Sequence, residues 1–177
     1  MTARGETEAN VKSTAPVSLN IRRARPDEAG VVLALVRELA EYEKLLHEVE
    51  ATDAMIADAL FGAHPRLFCD IAEWNGEVVG FAVWFINFST FSGRSGIYLE
   101  DLFVRPAFRG KGIGKALLSH LAKECVTNNW SRLQWSVLDW NAPSIAFYKS
   151  LGAVLLDEWT LCKVAGPALH QLAEGQR

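Results

Sequence analysis

Apolar residues recur along most of this chain with one of two periods, and each period predicts an element. Val31, Val32, Leu35, Val36 and Leu39 keep the spacing of an amphipathic helix that Pro26-Asp27 starts and that runs to about Glu43. Thr52-Asp53 caps a second helix through Phe61, stopped by Gly62 and Pro65. Arg66 to Trp74 and Glu77 to Phe88 read as strands. Between them Asn75-Gly76 suits a two-residue hairpin turn with positive φ at both positions. Leu19 to Ala24 and Ile97 to Val104 are further strand-like runs. In the helix-like run Lys115 to Val126, Leu117, Leu121 and Cys125 share a face with Ile113 just before it. Leu133, Trp135 and Val137 alternate as a strand, Pro143 to Leu151 is a short helix closed by Gly152, and Trp159 to Val164 reads as a final strand. The order β-α-α-β-β-β-α-β-α-β predicts an α/β sandwich around one central mixed sheet. Residues 1–18, polar and without period, read as a disordered leader, and residues 19–177 as a single domain without repeats or linkers.

Composition narrows the function classes. The chain has 177 residues, half of them hydrophobic and 22% charged, which is ordinary for a soluble globular protein. A net charge of −3 gives no electrostatic footprint for nucleic acid or an anionic membrane. No apolar run approaches the ~20 residues of a membrane helix, and the N-terminus lacks a basic-then-apolar signal pattern. Cys69, Cys125 and Cys162 form no Cys-x-x-Cys pair and read as free thiols of a cytoplasmic protein. His47, His64, His120 and His170 lack metal-ligand spacing, and no Gly-x-Ser-x-Gly elbow occurs, so neither a metal nor a serine nucleophile is expected.

The chemistry begins at Arg109-Gly110-Lys111-Gly112-Ile113-Gly114, between an apolar strand and an amphipathic helix. A glycine loop opening a helix gathers free N–H groups and the positive end of the helix dipole, which makes a candidate phosphate cradle. It is not a P-loop: Gly114-Lys115 is preceded at the required distance by Arg109 and followed by Ala116. It is not a dinucleotide fingerprint either, because Lys115 stands where the third glycine would be. Arg-x-x-Gly-x-Gly remains, and on its own it fits a tight strand-to-helix connection equally well.

Two further groups stand out. Glu100-Asp101 are adjacent carboxylates in an apolar strand, where an unpaired buried charge is costly. Alternation puts them on opposite faces unless a bulge re-aims them, and they serve either as a solvated sheet-edge pair or as proton acceptors in a cleft. Trp140-Asn141-Ala142-Pro143-Ser144 opens the short helix carrying Phe147-Tyr148. There Asn141 can bond local backbone, and Tyr148 could be a core aromatic.

Taken together, these motifs resemble those of the GNAT superfamily of acyl-CoA-dependent N-acetyltransferases. Glu38-Leu39-Ala40-x-Tyr42-Glu43, Phe61-Gly62-x-His64-Pro65, Tyr98-Leu99-Glu100-Asp101 and Trp140-Asn141-x-Pro143-Ser144 resemble its diamine (spermidine/spermine-type) branch. The resemblance covers most of residues 20–165 and implies a three-layer sandwich whose mixed sheet is mostly antiparallel, with acetyl-CoA as co-substrate. It implies that the backbone of Leu102, Phe103 and Val104 pairs with pantetheine. The amides of Gly110, Lys111, Gly112, Ile113, Gly114 and Lys115 would hold pyrophosphate beside Arg109, with Asn141 and Ser144 along the cofactor's other side. Glu100 would take the amine proton and Tyr148 would protonate the thiolate. Tyr42, Glu43, Asp101 and Glu158 would face a small amine, and homodimers would form through the C-terminal strand.

A primary amine with pKa near ~10 is mostly cationic at neutral pH, so a carboxylate that holds it and takes its proton fits these roles. Arg94, in Ser89-Thr90-Phe91-Ser92-Gly93-Arg94, departs from the polyamine pattern. It would repel a long polycation or pair a substrate carboxylate, which favours a short diamine or a basic amino acid such as ornithine or thialysine. An acyl-CoA sensor or interaction module needs only the loop, and a protein acetyltransferase needs an open peptide groove. Both readings stay open at this point.

Overall fold

A computed structural model describes residues 18–175. The leader expected over residues 1–18 lies outside the described residues except for Ser18, whose N–H donates to Asn75 Oδ1 at 2.9 Å. The chain forms two compact units, one ending at Ser136 and the other starting at Val137.

The larger unit is built on a five-stranded sheet in the order β1-β2-β3-β4-β5. Its strands are β1 (Leu19–Arg23), β2 (Phe68–Trp74), β3 (Glu77–Ser89), β4 (Arg94–Val104) and β5 (Leu133–Gln134). The first four pair antiparallel and β5 joins β4 in parallel, giving the mixed, mostly antiparallel sheet that the motifs imply. Asn75 and Gly76 turn β2 into β3 with φ of 51° and 83°, the geometry expected of an Asn-Gly hairpin. Two helices, α1 (Ala29–Tyr42) and α2 (Asp53–Phe61), cover one face. Val32, Leu35 and Leu39 of α1 pack with Leu60 of α2 on Cys69, Ile71, Phe81, Val83 and Phe103 of the sheet. Val31 of the predicted stripe is 37% exposed, and Leu33 is buried in its stead. The third helix, α3 (Ile113–Thr127), lies over the opposite face and buries Ile113, Leu117, Leu118, Leu121 and Cys125. There the buried Asp70 carboxylate accepts from Trp84 Nε1 at 2.7 Å and lies 3.3 Å from Arg23 Nε and 3.5 Å from His120 Nε2.

In β4 the bulge admitted at Glu100-Asp101 is present. Val83 of β3 stands opposite Asp101 and Trp84 opposite Leu99, so Glu100 is an extra residue with no counterpart. Ile97, Leu99, Asp101 and Phe103 would share one face of a regular strand. The bulge divides them, leaving Phe103 in the α1 core and Leu99 opposite Trp84 on the α3 side.

The smaller unit holds α4 (Ala142–Ser150) and α5 (Pro167–Ala173). The expected strand at Trp159–Val164 is not formed, and that stretch is exposed, with Trp159 at 77% and Leu161 at 83%. A strand exists only against a partner that takes its backbone groups, and no strand among the described residues pairs with it. Likewise the alternation at Leu133, Trp135 and Val137 yields a strand only at Leu133–Gln134. Pro167 at the first turn of α5 starts a helix that the apolar pattern did not predict.

Candidate active site

The end of β4 and the loop after it form the candidate cofactor surface. Leu102, Phe103 and Val104 pair with Ala82, Phe81 and Gly80 on their inner edge. On the outer edge β5 pairs only with Ile97 and Tyr98. Among the described residues, then, no strand covers the outer edge of β4 from Leu99 to Val104, where N–H and C=O groups can receive an extended amide-bearing ligand.

The glycine loop follows a 3₁₀ turn at Pro106–Phe108. Gly110 and Gly112 have φ of 74° and 81°, a region that side chains seldom enter, and a Cβ at either would meet nothing within 4 Å. The glycines therefore serve the backbone path rather than a tight contact. Gly112 is the N-cap of α3 and no side chain caps this end. The first-turn amides of Ile113, Gly114 and Lys115 thus lie at the positive end of a long helix without a side-chain cap. Both loop cations rest on aromatic rings. Arg109 lies 4.4 Å from the Tyr42 ring centroid and 5.6 Å from that of Phe103, and its Nε donates to Val104 O at 2.9 Å. Lys111 Nζ lies 4.9 Å from the Phe108 ring and 5.3 Å from Trp74.

A group of carboxylates gathers at the bulge and at the end of α1. Burial, then the negative charges of Glu100 and Glu43, push the Asp101 carboxyl up to about 6. Burial also raises the Glu43 carboxyl above the ordinary carboxylate range. Glu100, the bulged residue, is exposed. Three carboxylates whose charges oppose one another beside a loop rich in N–H donors suit a cation. Sequence reasoning grouped Tyr42, Glu43 and Asp101 and gave Glu100 and Arg109 other roles; the structure brings all five into one neighbourhood. It missed the stacking of Arg109 on Tyr42, which no local spacing announces, and the ion pair of Glu38 with Arg105.

The other predicted residues stand on other elements. Arg94 sits beyond the turn closing the β3–β4 hairpin, paired with Ser89. It precedes Asp101 by seven residues, roughly 23 Å of extended strand. Within its own chain it is too distant to meet a short amine held at Asp101, so its charge does not act there. In the smaller unit, Asn141 is buried and its Oδ1 accepts from Ser144 N at 3.3 Å, capping α4 as the residue pattern allowed. Tyr148 is half-buried on α4 with its ring 5.4 Å from that of Phe147. Glu158 is exposed.

The two buried thiols offer no competing chemistry. Burial and the neighbouring Asp70 charge push the Cys69 thiol far up, and burial raises that of Cys125, so both stay protonated and inert. Among the described residues no group of three or more His, Cys, Asp or Glu could hold a metal ion, and no helix is long and apolar enough to cross a membrane.

A mixed sheet with an open β4 edge, leading through a glycine loop into α3, defines an acyl-CoA-dependent acyltransferase site. The chain belongs to the acetyltransferase (GNAT) family, which matches residues 32–153, and it is an N-acetyltransferase. It is similar to a thialysine N-epsilon-acetyltransferase from Mus musculus, 36% identical over 88% of this chain and 98% of that one. An L-ornithine N5-acetyltransferase from Arabidopsis thaliana is 29% identical over 86% of each chain. Among solved structures, an integron cassette protein from the mobile metagenome of V. cholerae superposes with a TM-score of 0.75. It is 32% identical to this chain and covers 89% of it and 98% of its own length.

Proposed function

We propose that the protein moves the acetyl group of acetyl-CoA onto a primary amine of a small basic amino acid or short diamine, by direct attack in a ternary complex. The carboxylate cluster of Glu43, Glu100 and Asp101 beside the bulge carries the reading, because it supplies charge for a cationic amine next to the cofactor loop. Ornithine and thialysine are favoured over spermine by the similarity to enzymes named for them.

In this reading pantetheine adds along Leu102, Phe103 and Val104, and the amides from Gly110 to Lys115 hold the pyrophosphate near Arg109. Asn141 and Ser144 flank the cofactor. Asp101, Glu43, Tyr42 and Glu158 hold the ammonium end. Glu100 accepts the proton released as nitrogen attacks the thioester carbonyl, directly or through water, and Tyr148 gives its proton to the departing thiolate. Holding both substrates together supplies the proximity term, so no acyl-enzyme is needed. Residues 19–177 act as one catalytic domain, consistent with a family match that runs from α1 through α4. Cytoplasmic homodimers form through the exposed apolar stretch Trp159–Val164.

The test is CoA release with ornithine, lysine, thialysine, putrescine, spermidine and a lysine peptide. One small amine should turn over, and Tyr148→Phe and Glu100→Gln should each lower kcat roughly 100-fold while acetyl-CoA affinity stays unchanged. Tight acetyl-CoA binding with no turnover of any amine would replace the enzyme by a sensor. Turnover of the peptide alone would make it a protein acetyltransferase.

A further inference from the structure

The helix that carries Tyr42 and Glu43 is capped through its backbone, but its end is crowded with acidic side chains. Its last turn contains no basic residue, yet Glu38, Glu41 and Glu43 crowd the end where the helix dipole is already negative. Lys44, the residue after the C-cap, sits at φ 63° and closes the backbone in a Schellman turn, with Leu45 N donating to Ala40 O at 2.8 Å and Lys44 N to Glu41 O at 3.1 Å. The charge that pairs Glu38 comes from another element. Arg105 Nε donates to both Glu38 carboxylate oxygens, at 3.2 and 2.9 Å, and Nη2 donates to Oε1 at 2.7 Å. Arg105 Nη1 donates to Val78 O at 2.7 Å, which fixes the guanidinium on the sheet. One helical turn further on, Tyr42 stacks under Arg109. Glu38 and Tyr42 are four residues apart on one face of α1, and Arg105 and Arg109 are four apart after β4, so the helix end is held at two matched points.

We propose that Arg105 is a positioning residue for the amine. Through Glu38 it fixes the last turn of α1 and so places Tyr42 and Glu43 against the carboxylate cluster; this rests on the functional reading above. The loop does not depend on the same side chain. Arg105 N donates to Val79 O at 2.9 Å, Phe108 N to Arg105 O at 2.9 Å and Arg109 N to Pro106 O at 3.2 Å, all through backbone. Breaking the ion pair therefore loosens the amine end while the backbone bonds of the loop stay in place. The pair is partly exposed, with side-chain accessibilities of 32% for Arg105 and 36% for Glu38, so added salt should loosen it as well.

The test compares Arg105→Gln, Glu38→Gln, their double variant and the exchanged pair Glu38→Arg with Arg105→Glu. Each single variant should raise KM for the preferred amine roughly 5- to 20-fold, because small misplacements at a remote strut weaken productive geometry. The double variant should add little to either single one, and the exchanged pair should recover part of the loss. Acetyl-CoA affinity by calorimetry should stay within about twofold of wild type, since its contacts are untouched. Amide exchange should quicken at residues 36–45 and not along β4. An unchanged amine KM would overturn the proposal, as would an equal loss of acetyl-CoA affinity. If the wild-type enzyme acetylates no amine, the functional reading fails, and exchange at residues 36–45 alone then decides whether Arg105 holds the helix end.

Discussion

Asp101 is the residue where folding and chemistry pull in opposite directions. Its carboxyl titrates near 6 against an ordinary 3.8, because burial and two neighbouring carboxylates disfavour the charge. A raised carboxyl stabilises the fold only while protonated. That contribution is complete below the unfolded value near 3.8 and is lost as the pH rises through about 6. At neutral pH Asp101 is thus an ionised group that the fold resists and that the ammonium of the proposed substrate would relieve. Asp101→Asn is expected to stabilise the protein by about 1–2 kcal/mol at pH 8, with the gain vanishing at pH 4, while amine turnover is lost. Urea unfolding at the two pH values measures the first effect and CoA release the second. A gain of equal size at both pH values would show that charge is not its cause.

At the scale of elements, Glu28 makes the opposite contribution. Arg22 holds its carboxyl at about 2, well below the ordinary 4.5, through bonds of 2.8 and 2.7 Å. Arg22 also reaches Glu73 of β2, so the start of α1, β1 and β2 share one charged knot. This stability is present above pH 4.5 and is lost as the pH falls through about 2. Glu28→Gln should therefore cost about 2 kcal/mol at pH 7 and close to nothing below pH 2, read from denaturation midpoints. Much of the element plan was legible because its signals are local. Asn75-Gly76 dictates its own turn, and the α1 stripe its own buried face. The glycine loop was equally local, since Gly112 opens α3 in a conformation few other residues adopt. The bulge was admitted at Glu100-Asp101 but not decided, because Ile97, Leu99, Asp101 and Phe103 alternate without a break and only the register against Val83 and Trp84 places the extra residue. The same limit hid Arg109 on Tyr42 and Arg105 on Glu38. Each pair joins residues 67 apart, brought together by the sheet.

At the scale of the whole molecule, the stretch after α4 follows a different logic. Val154, Leu156, Trp159, Leu161 and Val164 are all exposed, although a chain that is 22% charged has polar residues to spare. Sequence reasoning gave this stretch a strand because alternation is a property of the chain, whereas strand pairing is a property of its surroundings. With the homodimer proposed above, Leu161→Glu should convert the protein to a monomer by sedimentation. Unfolding of the separate chain should change by no more than about 0.5 kcal/mol, since an exposed side chain gives the fold little. The open border of β4 has a consequence of another kind. Unpaired strand edges are templates on which other chains polymerise, and natural sheets usually blunt them with charge, proline or a covering segment. Leu102-Phe103-Val104 carries none of the first two, and on the function proposed above its cover is the cofactor. Preparations stripped of CoA should then cloud on storage where saturated ones stay clear, which makes solubility itself a reporter of how well the metabolite pool keeps this enzyme occupied.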